Sequence, residues 1–111
     1  MKTVNIIEKQ IADFIEKKRP PVEVRGEVDL AYSMNDETIE LFEIRPQWND
    51  QSKKIQSSIA RTKYVKSKKK WKVYWMPSNL KWTLYTPAPE VKTINDFIEL
   101  LEKDDHHCFW G

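Results

Sequence analysis

The chain has 111 residues, a length that allows one domain with one hydrophobic core. It contains a single cysteine, so no internal disulfide can form. No apolar run is close to the length of a membrane-spanning helix, which is about 18 residues or more. Acidic residues near the amino terminus are not typical of a secretory signal peptide, and two glycines are too few for a phosphate-binding glycine loop. We therefore expect one soluble, cytoplasmic domain over residues 1–111.

Charge is sorted along the chain, although the net charge is only +2. No aspartate or glutamate occurs between Gln51 and Thr86, and acidic residues lie on either side of this stretch. Such segregation predicts a basic region that selects anionic partners. The basic residues of the stretch are Lys53, Lys54, Arg61, Lys63, Lys66, Lys68, Lys69, Lys70, Lys72 and Lys81.

The amino-terminal part of the chain predicts a helix followed by a β-hairpin. Apolar residues at helical spacing predict a helix over residues 3–18, which Pro20–Pro21 terminate. Strict alternation of apolar and polar residues predicts a strand over residues 22–33, and residues 38–45 form its hairpin partner. The alternation of the second strand is imperfect, which indicates either that both of its faces are covered or that a bulge switches them. We expect strand pairing to end at Pro46, which has no N–H to donate.

The middle of the chain has a less regular pattern. Residues 51–60 fit either a short helical stripe or the beginning of a strand. We favour a strand over residues 59–66, followed by a lysine-rich turn at residues 67–70. Residues 71–76 are rich in β-branched and aromatic side chains and predict a further strand. A short returning strand is expected at residues 81–85.

The carboxy-terminal segment predicts a capped helix and a docked tail. Thr93 and Asp96 occupy the two positions of a capping box, and apolar residues at helical spacing follow them. Residues 106–111 are too apolar to remain in water, so we expect them to pack against the domain. The fold class is therefore α+β, an antiparallel β-meander of about four to five strands with the amino- and carboxy-terminal helices on one face.

Several aromatic motifs are shared with a known family. They are Glu-x-Arg-Pro-x-Trp at residues 43–48, tryptophan motifs at residues 70–75 and 80–85, and Cys-Phe-Trp-Gly at residues 108–111. In these motifs the chain resembles a small bacterial family described as domain of unknown function 3024. The resemblance covers nearly the whole chain and implies that it is a complete protein. It implies no catalytic residue, substrate or cofactor.

The basic and aromatic stretch carries the main functional hypothesis, which is non-enzymatic binding of an anionic partner, above all a nucleic acid. Lysines neutralise phosphates and release counterions, and aromatic rings stack on unpaired bases. The alternative is that the tryptophans form the core while the lysines confer solubility and protect an edge strand. The predicted binding residues are Lys63, Lys66, Lys68, Lys69, Lys70 and Lys72, with Tyr64 and Tyr74 as stacking residues.

A second hypothesis is a divalent-metal nuclease that uses Asp29 and Glu43 on the two strands of the first hairpin. Two adjacent carboxylates can share a cation, Arg45 can orient a water molecule, and Glu8 is a further acid, as in the PD-(D/E)xK nucleases, which this layout resembles. The site requires residue 29 to lie opposite residue 43, and a shift by one residue destroys it. Arginine is also a poor substitute for lysine in water activation. The structural alternative is a cross-strand ion pair between Glu27 and Arg45.

The tail offers a third hypothesis. His106, His107 and Cys108 are zinc-ligand types, but a structural zinc site gathers ligand pairs from two segments and the chain has no second pair. We therefore predict no metal and no cofactor, and interpret the tail as an anchored carboxy terminus. The alternative is a protein-interaction or homo-oligomerisation module that uses the aromatic tail or an exposed sheet edge as its contact, for example a homodimer in which the tail docks into a neighbouring chain.

Overall fold

The computed structural model describes residues 3–110, and the side chains of residues 6–110. It contains two α-helices, one short 3-10 helix and six β-strands. The helices are α1 (Thr3–Lys18) and α2 (Ile94–Lys103), and the 3-10 helix is Val22–Val24. The strands are β1 (Asp29–Asn35), β2 (Thr38–Gln47), β3 (Asp50–Val65), β4 (Lys70–Trp75), β5 (Thr83–Leu84) and β6 (Glu90–Val91).

The strands form one antiparallel sheet in the order β1-β2-β3-β4-β5, and β6 also pairs with β4. Successive strands are therefore neighbours along the main path, as in a meander. The predicted α+β class is confirmed, with both helices packed against the sheet and against each other. The described part of the molecule is elongated, with principal extents of 45 × 33 × 24 Å.

Helix α1 spans the predicted residues 3–18. Ile11, Phe14 and Ile15 are buried, so the helix presents its apolar stripe to the core. Lys17 and Lys18 lie in the last turn, where cations are favoured by the helix dipole. Val4 belongs to the same apolar stripe in the sequence, but its side chain lies outside the described residues.

The first predicted strand is wrong over its initial residues. Residues 22–24 form the 3-10 helix, and the side chain of Val22 is 73% exposed. The N–H of Val24 bonds to the carbonyl of Pro21 at 2.9 Å, and the Arg25 side chain bonds to the carbonyl of Pro20 at 2.9 Å. Pairing with β2 begins only at Asp29, so β2 offers no hydrogen-bond partner to residues 22–24. The local hydrogen bonds satisfy backbone groups of this segment instead.

Strands β2 and β3 form a hairpin that is longer than predicted. Pairing continues through Pro46, which lies opposite Lys54 beyond the end of β1. The missing N–H of a proline is tolerated at such a free edge. The ambiguous residues 51–60 belong to a strand. A register shift between Leu41 and Phe42 marks a bulge on β3, but β2 pairs with β1 without a shift and keeps its alternation, so the bulge does not switch the faces of β2. Phe42 and Ile44 lie half-buried on the face opposite Leu41. The shift leaves Ile59 as the extra residue on β3, where it is buried with the next residue, Ala60.

The remaining strands cover the far edge of β4. The predicted strand at residues 81–85 is reduced to the two residues of β5, and β6 pairs with the other end of β4. The N–H of Tyr85 bonds to the carbonyl of Val73 at 2.8 Å, and the N–H of Val73 bonds to the carbonyl of Pro89 at 3.0 Å. The β4 edge is thus paired along most of its length.

Helix α2 begins with the predicted capping box between Thr93 and Asp96. It ends at Lys103 and is followed by its C-cap Asp104, a buried residue with positive φ whose carboxylate accepts three backbone N–H groups of the tail. The Trp110 indole N–H bonds to the carbonyl of Leu101 at 2.6 Å, and Phe109 is buried. The described part of the tail therefore packs against its own chain, while Gly111 lies outside the described residues.

Candidate nucleic-acid interface

The sheet has two different faces, which follow from its register. The face toward the helices carries the buried residues of the central strands, among them Leu41, Thr62 and Val73. Side chains of the intervening residues point to the opposite face. We call this second surface the open face and define it by the cross-strand neighbours Glu40, Arg61, Lys63, Lys72 and Tyr74.

Arg61 lies at the centre of the open face, opposite Glu40 on β2 and Tyr74 on β4. Its guanidinium carbon is 5.9 Å from the ring centroid of Tyr74 and 5.7 Å from that of Trp82, distances typical of cation–π contacts. Its Nε lies 4.0 Å from a carboxylate oxygen of Glu40, too far for a hydrogen bond, and has no other partner in the described structure. The two rings therefore hold the guanidinium in place, and its Nε is buried without a hydrogen-bond partner.

Lys63 and Lys72 lie directly opposite each other on β3 and β4. Like charges at such positions destabilise a sheet. The nearest acidic neighbour in the register is Glu90, opposite Lys72 on β6. Its carboxylate bonds to the Lys68 ammonium at 3.0 Å, and this bond, with the nearby charges of Lys70 and Lys72, holds the pKa of Glu90 below its ordinary value. One carboxylate is therefore surrounded by several ammonium groups.

The β3–β4 turn places further lysines at the border of the open face. Lys66 lies 3.4 Å from a carboxylate oxygen of Glu37, and Lys68 pairs with Glu90. Lys69 is exposed and has a φ of 53°, a left-handed conformation that disfavours side chains other than glycine. The turn thus presents a charged side chain at a position where glycine would fit the backbone better.

The structure divides the predicted binding residues into three groups. Lys63, Lys70, Lys72 and Tyr74 share the open face by register, and Lys66, Lys68 and Lys69 lie on the adjoining turn. Tyr64 points to the other face, where its ring lies 5.0 Å from that of Trp71. It packs against the core and is therefore poorly placed to stack on a ligand.

Arg61 and Trp82 are site residues that sequence reasoning missed. Arg61 and Lys63 are two residues apart, which places them on one face of a strand, and this spacing was the available signal. A cavity of about 440 Å³ lies beside these two cations. The rest of its lining comes from the β1–β2 hairpin and is polar: Ser33, Asn35, Asp36, Glu37, Thr38 and Glu40.

The carboxylates of the nuclease hypothesis are not opposite each other. Asp29 pairs with Ile44, and Glu43 pairs with Leu30, so the register differs by one residue from the one that the site requires. Asp29 and Glu43 nevertheless border a common cavity of about 350 Å³ together with Arg45.

Each of these carboxylates is held by an arginine. Arg19 donates from Nε and Nη2 to the two oxygens of Asp29, both at 2.9 Å, and these bonds hold the pKa of Asp29 below its ordinary value. Arg45 donates to Glu43 at 3.2 Å. Glu8 accepts a hydrogen bond from the hydroxyl of Tyr32 at 3.0 Å. This pairing stabilises the hairpin and α1, and a cation would have to displace Arg19 to reach Asp29.

The three residues of the tail hypothesis differ in their exposure. His106 and His107 are exposed, whereas Cys108 is half-buried and its burial raises the pKa of the thiol. Within residues 3–110, no three His, Cys, Asp or Glu side chains come together in a way that would hold a metal ion.

The fold and this surface together define a small α+β protein with one helix-covered and one open sheet face. Comparison with protein-family models matches residues 1–111 to the family described as domain of unknown function (DUF3024), and the chain belongs to this family. No curated protein and no solved structure shows significant similarity to the chain. In the described part of the chain, no helix is long and apolar enough to cross a membrane.

Proposed function

We propose that this protein binds nucleic acid, without catalysing a reaction on it, through the open face of its sheet and the adjoining β3–β4 turn. The observation that supports the proposal most is the direct juxtaposition of Lys63 and Lys72 beside Arg61. A pair of like charges costs stability in the free protein, and an anion placed between the two ammonium groups would remove that cost.

Phosphate groups are the anions that this surface fits best. Lys63, Lys70 and Lys72 are spread along two paired strands, so they offer a row of separate charges rather than one compact anion pocket. A row of ammonium groups is suited to a polymer of phosphates, from which it releases counterions.

Aromatic side chains on the same face add a second kind of contact. Tyr74 lies directly opposite Arg61 and two residues from Lys72 on the same face of β4, and its half-buried ring contacts the guanidinium. A ring of this kind can stack on an unpaired base or pack against a sugar. We also propose a cytoplasmic location, where nucleic acid is accessible.

The proposal is tested by charge reversal on the open face. Lys63→Glu combined with Lys72→Glu should weaken binding of a labelled oligonucleotide at least tenfold in fluorescence anisotropy. The matched control is Lys9→Glu combined with Lys103→Glu, which makes the same change in net charge at exposed positions of α1 and α2. Equal affinities of the two double variants would show that the open face is not the binding surface.

A further inference from the structure

The β2–β3 hairpin extends well beyond the rest of the sheet. Pairing with β1 ends at Ile44, and pairing with β4 ends at Ala60. From the pair of Arg45 with Ile55 onward the two strands pair only with each other, and we call residues 45–55 the ribbon. At about 3.3 Å per residue, β3 extends roughly 30 Å past its last pair with β4, and roughly 20 Å past the position opposite the last pair of β2 with β1.

Most of the ribbon is exposed in the described structure, although the Lys54 ammonium donates to the carbonyl of Gly26 at 3.3 Å and Pro46, Gln47 and Asp50 are half-buried. Every residue of β3 from Gln51 to Ser58 is exposed, including Ile55 at 43%. Trp48 lies at the tip and is 89% exposed, the highest value among the large apolar side chains. An isolated two-stranded ribbon is only marginally stable in water, so a partner that orders it would add stability.

The charge of the ribbon indicates what that partner is. Lys53 and Lys54 are consecutive residues of its free strand, so their side chains point to opposite faces of the ribbon. The only acidic residue of the ribbon is Asp50, whose carboxylate accepts hydrogen bonds from the backbone N–H and the hydroxyl of Ser52. Lysines on a free strand edge oppose pairing with a second copy of the same edge. They favour a polyanion instead.

The ribbon is continuous with the open face. Lys54 lies opposite Pro46, and the register places it on the same face of β3 as Arg61 and Lys63. Lys54 and Lys63 are nine residues apart along one strand, which corresponds to about 30 Å. This is close to one helical turn of duplex DNA, which measures roughly 34–36 Å. A two-stranded ribbon also has the width that the major groove admits.

We propose that the ribbon is a duplex-specific arm that enters a groove of double-stranded DNA, with Lys53 and Lys54 on the phosphates and Trp48 at the inserted tip. The proposal rests on the proposed function, because the open face supplies the first contact with the backbone. A single strand has no groove for the ribbon to enter. Duplex binding therefore depends on the ribbon, whereas single-strand binding depends on the open face alone.

The experiment compares a labelled 20-base-pair duplex with a labelled single strand of the same sequence, by anisotropy in EDTA. Lys53→Glu combined with Lys54→Glu should weaken duplex binding at least tenfold and change single-strand binding less than twofold. It should also lower the slope of log affinity against log salt for the duplex by about 2. Trp48→Ala should weaken duplex binding and leave single-strand binding unchanged. All these positions are exposed, so thermal unfolding of the variants should match that of the wild type.

Each remaining outcome overturns the inference in a recognisable way. If the wild type binds both probes and the ribbon variants weaken the duplex no more than the Lys9 and Lys103 control pair, the arm is excluded and the open-face function stands. If neither probe binds at low salt, both proposals fail. If light scattering shows a dimer that Trp48→Ala dissociates, the ribbon is an interface between two copies of the chain rather than a DNA arm.

Discussion

Lys63 on β3 and Lys72 on β4 are direct cross-strand partners, and their side chains point to the face of the sheet that no helix covers. A neutral or oppositely charged pair would stabilise the hairpin better. Nucleic-acid binding therefore favours lysine at both positions, whereas folding stability favours a different pair. Experiments that measure binding and stability separately distinguish these two effects.

A single charge reversal should change stability and binding in opposite directions. Lys63→Glu creates an opposite-charge pair with Lys72 and should raise the free energy of unfolding by about 0.2–1 kcal/mol in urea titrations. The same variant should bind oligonucleotides more weakly, because it introduces a negative charge into the proposed phosphate row. Lys103→Glu is the single-site control. A Lys63→Glu protein that is both more stable and equally tight in binding would contradict the proposed role of this residue.

At the β3–β4 turn, too, the effect of a substitution on oligonucleotide binding can be distinguished from its effect on stability. Lys69 has a φ of 53°, which costs a side-chain-bearing residue roughly 1 kcal/mol relative to glycine. Lys69→Gly should therefore maintain or raise the melting temperature while it weakens oligonucleotide binding. Ser67→Gly is the control, since residue 67 lies in the same turn, carries no charge and does not have a positive φ. Ser67→Gly should leave binding unchanged and give no gain in stability.

Asp104 should be the most sensitive polar residue for the stability of the tail. Its carboxylate accepts the N–H groups of Cys108 at 2.9 Å, Phe109 at 3.1 Å and Trp110 at 2.9 Å, and the residue is only 7% exposed. Asp104→Ala leaves these donors without their acceptor and should cost at least about 2 kcal/mol. Asp105→Ala removes an exposed neighbour and should change the stability by less than about 0.5 kcal/mol. Chemical denaturation of both variants measures the difference.

The ion pair between Asp29 and Arg19 predicts a specific pH dependence. Arg19 holds the pKa of Asp29 below the ordinary value of 3.8 in the folded protein. The pair therefore contributes its full stability above that value and loses it as the pH falls through the lowered folded pKa. Asp29→Asn should lower the melting temperature at neutral pH and flatten its decline in acid. Asp105→Asn, at an exposed position, should leave the acid limb unchanged.

The same aspartate tests the enzymatic alternative. A nuclease that used Asp29 and Glu43 would cleave DNA with Mg²⁺ or Mn²⁺ and would lose that activity in Asp29→Ala. Because Arg19 already occupies both carboxylate oxygens of Asp29, we expect no cleavage with either metal. Metal-dependent cleavage that disappears in Asp29→Ala would overturn the non-enzymatic proposal.

Elements with local signals could be predicted from the sequence. Helix α1 was predicted because its apolar spacing and the prolines after it lie within one short segment. The capping box of Thr93 and Asp96 likewise involves only a few adjacent residues. Alternation at residues 22–28 failed as a signal because it describes the strand alone and not the availability of a pairing partner.

The candidate site depends on relations that the sequence does not contain. The exposed part of β3 has no apolar periodicity, since it is held only by pairing with β2. The contact of Arg61 with Tyr74 and Trp82 requires both the β3–β4 register and the return of the chain along β4. The juxtaposition of Lys63 and Lys72 depends on the length of a turn. Composition indicated a basic region, but only the fold sorts its residues between the two faces.

The central claim is tested most directly by the salt dependence of oligonucleotide binding, measured by fluorescence anisotropy in EDTA for the wild type and for Lys63→Glu combined with Lys72→Glu. The account predicts that wild-type affinity falls steeply as salt rises, and that the double variant binds at least tenfold more weakly with a slope reduced by about 2. Absence of binding at low salt, or equal affinity and slope in the two proteins, would contradict it.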